Sequence, residues 1–158
     1  CAVLLQETLL MPLKHTLPTL LLAGLAGEIA FELYAWLVSP LLFGVALAPA
    51  NLVVALGKIA FGVTLPYWLG FALHIALGIA GFSVFVWLVH RLTRLGLVLS
   101  GALSGLVLWF VAQGLLAPAV GRSFMMDFGA YTQSSFVGHV GMAMVIGYAI
   151  ALLQRRAA

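Results

Sequence analysis

Apolar residues run along this chain in long, nearly unbroken stretches separated by short polar or proline-containing breaks. A bilayer core about 30 Å thick takes about 20 such residues in helical form. Four stretches are long enough: roughly 17–38, ending at Ser39-Pro40; 66–90; 95–117, ending at Pro118; and 132–153, ending at Gln154-Arg155-Arg156. The stretch 41–62 is also apolar but carries Gly44, Pro49, Asn51, Gly57 and Lys58. Proline can open a helix but breaks its interior. The helical part of that stretch, 50–61, would be about 18 Å long, too short to span. The pattern therefore predicts an all-α, polytopic membrane four-helix bundle forming one transmembrane domain. A short interfacial or re-entrant helix joins spans 1 and 2.

Composition agrees with this. Of 158 residues, 65% are apolar and 7% charged, and the mean hydropathy is +1.21. Soluble domains are about 45–50% apolar and about 25% charged, so too few polar side chains exist to cover a water-facing surface. Disordered chains are poorer still in apolar residues. The net charge of +3 is dispersed along the chain, which excludes the clustered basic face that nucleic acid requires. Its placement reads instead as topology. With four spans and a cytoplasmic N-terminus, Lys14, Arg91, Arg94, Arg155 and Arg156 fall inside, and Lys58 and Arg122 outside. That bias follows the positive-inside rule; a fifth span through 41–62 would nearly erase it. Both termini are expected in the cytoplasm.

The single cysteine, Cys1, excludes an internal disulfide and a thiolate metal site. Met11-Pro12-Leu13-Lys14 reads as a start, which would make residues 1–10 an upstream extension, or else Cys1 a lipidated terminus. No cleavable signal peptide is expected, because the apolar run after Lys14 is too long.

The candidate chemistry lies in the few polar residues within the spans. Ionisable side chains in lipid are costly and usually face the bundle interior. Glu28 and Glu32 stand at i and i+4, on one face of helix 1. His74 lies in helix 2, Gln113 in helix 3 and His139 in helix 4. Counted from the outer helix ends, Glu32, His74, Gln113 and His139 sit at similar depth, within about 3–6 Å of boundary error. They are expected to form one polar layer. Small residues flank it and permit close helix approach: Gly24 on helix 1; Gly70, Gly78 and Gly81 beside His74; Gly101 and Gly105 on helix 3. Ser135, His139, Met142 and Ala143 share a face of helix 4.

Several readings of this layer compete. It can be a structural network, with Glu32 accepting from His74 or His139 and Gln113 completing the bonding. It can be a metal site built from two His and two Glu, with His74, His139 and Glu32 as ligand candidates, since imidazole and carboxylate suit zinc, iron or manganese, although the Glu-x-x-His spacing of di-iron bundles is missing. His74 and His139 can be the axial ligands of a b-type haem in an electron-transfer protein. Glu28 and Glu32 can be steps in a proton or ion path, although no inverted repeat marks a transporter. No catalytic motif is present, and Ser135 beside His139 is only a helical spacing. The leading expectation is a non-enzymatic subunit or accessory factor of a larger membrane complex. Its partners would be lipids, other subunits or further copies of itself, met through Trp68, Phe71, Phe82, Phe85, Trp87, Trp109 and Phe110.

The run Ser39-Pro40-Leu41-Leu42-Phe43-Gly44 after helix 1, with Gly138-His139-Val140-Gly141-Met142 in helix 4, resembles small uncharacterised bacterial inner-membrane proteins of the YagU-like kind. The resemblance implies a bacterial four-helix inner-membrane architecture and brings no functional residue with it.

Overall fold

The structure, a computed structural model, describes residues 13–157. Cys1 and the start at Met11-Pro12 lie outside the described residues. The chain forms an all-α bundle of four long rods and one short helix. The first rod, α1, is helical over Leu13–Leu33, widens into a π turn at Tyr34–Val38 and resumes over Ser39–Phe43. The short helix α2 is Ala50–Phe61. The next rod, α3, runs through Tyr67–Ala76, a π turn at Leu77–Phe82, and Ser83–Thr93. Rod α4 runs through Leu97–Phe110, a π turn at Val111–Leu116, and Ala117–Ala119. The last rod, α5, is Ala130–Ala157. All four rods are long and apolar enough to cross a membrane.

Two prolines behave differently from the sequence expectation. Ser39-Pro40 does not end α1, which continues to Phe43 and closes at Gly44 with φ 69°. Pro118 likewise sits inside the last turn of α4. A proline lacks the N–H for the i−4 bond, and its ring collides with that carbonyl. In both rods a π turn ends two residues before the proline, at Val38 and at Leu116. The wider ring moves the bonding to i−5 and relieves the conflict, so the helix goes on.

Glycines set how closely the rods pass. In the α4–α5 seam, Gly101 rests on the carbonyl of Ala143, Gly105 on that of His139, and Gly147 on that of Leu97. Gly24 of α1 rests on the Ile79 carbonyl of α3, and Gly27 on the Ile146 side chain of α5. At each of these points a β-carbon would overlap the neighbour. Around them Leu20, Phe31, Val86, Met142, Ile146 and Ile150 form the buried core. The outward residues, among them Leu17, Leu25, Leu41, Leu99 and Phe110, are apolar and exposed, as a lipid-facing surface requires.

Hydroxyls fasten the C-terminal end of α1 to the N-terminal part of α5. Ser39 Oγ lies 2.5 Å from Ser134 Oγ and donates to the Val45 carbonyl at 2.5 Å. Tyr34 donates to the Ser134 carbonyl at 3.1 Å. Helix α2 lies against the first half of α3, where Gly70 meets Val54 and the Ala50 carbonyl. Gly70 thus receives the short helix, not a membrane span.

Candidate functional site

Three acid–base side chains converge where α1 meets α3. One helical turn separates Glu28 from Glu32, so both carboxylates leave the same side of α1. His74 of α3 reaches them with Nε2, 3.4 Å from Glu28 Oε1 and 3.7 Å from Glu32 Oε1. One ligand atom from each residue lies within 4.8 Å of the others. Glu28 is 2% exposed, and its carboxylate lies over Gly78, where a β-carbon would overlap Oε2 and Cδ. Gly78 belongs to the π turn of α3, so the widened backbone and the absent side chain together make room for the acid. On the lipid side, the Trp36 indole donates to Glu32 Oε2 at 2.7 Å. Both oxygens of Glu28, Oε1 of Glu32 and Nε2 of His74 are buried with no hydrogen-bond partner among the described residues.

Gln113 and His139 form a second group with Ser135. Gln113 Nε2 donates to Ser135 Oγ at 3.2 Å. His139 Nδ1 lies 2.8 Å from the Ser135 carbonyl and 3.3 Å from its hydroxyl. A carbonyl can only accept, so Nδ1 carries the proton and Nε2 is the free acceptor. The two groups are separated by aromatic rings: Phe31 lies 5.7 Å from His74 and 6.2 Å from His139, and Phe82 lies 5.7 Å from His139. Gln113 therefore completes the bonding of Ser135 and not of the acids.

His74 of the first group and all of the second border one partly open chamber of about 370 Å³. His74, Gln113, Ser135 and His139 line it together with Phe31, Leu77, Phe82 and Met142. Leu52, Val53 and Leu56 of α2 close one side, and Arg122 and Tyr131 border it where α4 ends and α5 begins. On the other flank of the acids, an apolar groove of about 410 Å³ runs along Leu25, Ile29, Leu33, Trp36 and Ile75.

This geometry separates the competing chemistries. Two carboxylates in a low-dielectric setting carry a large desolvation cost unless a cation or protons offset it. Two carboxylate groups and one imidazole nitrogen, converging and with all but Glu32 Oε2 lacking a hydrogen bond, fit a divalent ion that accepts oxygen and nitrogen ligands. They do not fit a haem held by His74 and His139, because the His74 Nε2 that would bind iron faces the two acids. Among the described residues Ser135 has no base for nucleophilic attack, because the nearby His139 nitrogen donates to the Ser135 carbonyl.

Gly81 meets only Leu77 of its own helix and borders the chamber, so it does not pack helices. Of the aromatic residues, Trp68 and Phe110 face outward, Phe82 and Phe85 line the chamber, and Trp109 donates to the Thr132 carbonyl at 3.1 Å. Trp87 lies under the Arg91 guanidinium at 5.1 Å. Sequence reasoning missed Gly27, Gly138 and Gly147, and also the Tyr34–Ser39–Ser134 cluster. The four-residue small-residue steps Ala23–Gly27, Ser134–Gly138 and Ala143–Gly147 were available signals for the glycine contacts.

Fold and site together define a polytopic α-helical integral membrane protein with a Glu–Glu–His group in which Glu28 is buried and Glu32 and His74 are half-buried. No family model, curated protein or solved structure matches the chain.

Proposed function

We propose that this membrane protein binds a divalent transition-type cation within the bilayer through Glu28, Glu32 and His74. The observation that carries the reading is the set of four buried polar atoms on these residues, converging and without hydrogen-bond partners. A structural network would satisfy such atoms internally. Carboxylates and a neutral imidazole are the ligand types that zinc, iron and manganese share, and the two acids neutralise a divalent charge. The site is on α1 and α3, and the π turn of α3 opens the space for it.

The test is metal analysis of the purified chain after exposure to zinc, manganese and iron(II). One equivalent per chain is expected, and Glu28→Gln and His74→Ala each abolish it. A wild-type chain that stays metal-free under these conditions overturns the reading. If that chain also carries protons into vesicles, and Glu28→Gln stops it, the trio is a proton relay instead.

We place the protein in a bacterial inner membrane with both termini in the cytoplasm. Five basic residues against two support the orientation, and the resemblance to YagU-like proteins supports the location. Membership of a larger complex, as an accessory subunit, draws support only from outward apolar faces, which lipid fills equally well.

A further inference from the structure

The chamber has a chemistry of its own, independent of the cation reading. Its volume, about 370 Å³, falls within the range of small-molecule sites. Most of its wall is aliphatic or aromatic, and its polar groups stand at separate levels. Tyr131 is the second residue of α5 and Arg122 follows α4 by three residues, so both belong to the end where α4 stops and α5 begins. His139 is eight residues beyond Tyr131, about 12 Å further in along the helix. Between these levels the wall is built by Leu108, Val111 and Ala112 of α4 and by the roof residues Leu52 and Leu56 of α2. Arg122 is half-buried and makes no ion pair with any acid among the described residues.

A cation at the interface level, set at the mouth of an apolar chamber, matches one kind of molecule. We infer that the chamber binds a single-chain amphiphile with an anionic head, the head held by Arg122 and Tyr131 and the chain lying beneath α2 toward His139. Guanidinium bonds to a carboxylate or phosphate are charge-assisted and stronger than neutral ones. The head also stays at the depth where water is present, so its charge avoids the cost of the bilayer centre. Helix α2 is too short to span but long enough to roof the chamber, which gives the re-entrant segment a purpose.

The test is equilibrium binding of tritiated palmitate to the purified full chain in neutral detergent, with lysophosphatidate and hexadecanol in parallel. Saturable binding of one palmitate per chain is expected. Arg122→Gln weakens it about tenfold or more and leaves hexadecanol unchanged. Tighter lysophosphatidate than palmitate assigns the head as a phosphate; the reverse assigns a carboxylate. Ala112→Phe, which fills the chamber, abolishes binding while the melting temperature is held. If that variant fails to fold, Leu56→Trp on the roof serves the same purpose. Glu28→Gln leaves palmitate binding intact, so failure of the cation site and failure of this inference are distinguishable. Non-saturable uptake, or equal palmitate affinity in wild type and Arg122→Gln, overturns the inference.

Discussion

The carboxylate of Glu28 occupies the space over Gly78 that a β-carbon would need. The buried acid and the glycine are thus one device on two helices. In Gly78→Ala the methyl group drives the carboxylate away from His74. The helix gains about 1 kcal/mol of propensity, and overpacking costs about 1–3 kcal/mol, so a net loss of thermal stability in micelles is expected. Metal retention falls with it. Gly81→Ala, three residues on, meets no other helix and is expected to raise stability by up to about 1 kcal/mol. Equal melting temperatures for the two variants contradict this account.

The α4–α5 seam is backbone against backbone at Gly105 and the His139 carbonyl. Neither wall can yield by changing a rotamer. Gly105→Leu is therefore expected to cost about 3 kcal/mol or to separate the helices. Gly96→Ala, where nothing lies within 4 Å, is expected to be neutral. Denaturant titration followed by tryptophan fluorescence distinguishes them.

Tyr34 joins α1 to α5 by its bond to the Ser134 carbonyl and by a 2.9 Å contact with the Ser134 hydroxyl. Interhelical hydrogen bonds in membranes contribute about 0.6 kcal/mol on average. Tyr34→Phe is expected to lose about 1 kcal/mol. In a double-mutant cycle, Ser134→Ala should recover only the hydroxyl share of that coupling, leaving the carbonyl bond in place. Additive effects of the two substitutions would remove the hydroxyl contact from the account.

At the proposed site of Glu28, Glu32 and His74 a cation competes with protons, because carboxylate and imidazole ligands must be deprotonated. Affinity is therefore expected to fall as pH falls. Equilibrium dialysis from about pH 8 to about pH 5 reads the release. Metal content that is flat across that range would contradict binding through these three side chains.

The proposed orientation, with both termini in the cytoplasm, puts Lys58 on the outer side and Arg94 on the inner. In a Cys1→Ser background, Lys58→Cys is expected to react with an impermeant maleimide on intact spheroplasts, and Arg94→Cys only after lysis. The opposite pattern inverts the topology.

Much of the architecture is legible in the sequence because apolar length is a strong signal. The short helix at 50–61 follows from Pro49 before it and Gly62 after it. Of the site, the i, i+4 spacing of Glu28 and Glu32 marks a shared face, and the depth of His74 marks a level. Depth alone does not tell which side of a helix a residue faces. For that reason His139 and Gln113 read as members of the acid layer, whereas they bond to Ser135. Two of the π turns escape notice because Pro40 and Pro118 look like helix stops, and nothing local distinguishes a proline preceded by a widened turn from one that ends a helix; the third, at Leu77–Phe82, precedes no proline. Contacts such as Gly138 against Phe31 depend on the rotation of whole rods, which side-chain spacing within one helix cannot fix.

The widened turns at Tyr34–Val38, Leu77–Phe82 and Val111–Leu116 each enclose one more residue per ring than an α-helical turn does. Removing a single residue elsewhere in a rod rotates everything after it by about 100° and turns buried faces toward lipid. Removing one inside a widened turn lets the helix fall back to ordinary winding with its downstream faces unrotated. These three places are where the protein can shorten by a residue during evolution and still close its bundle, at the expense of whatever the extra room was holding.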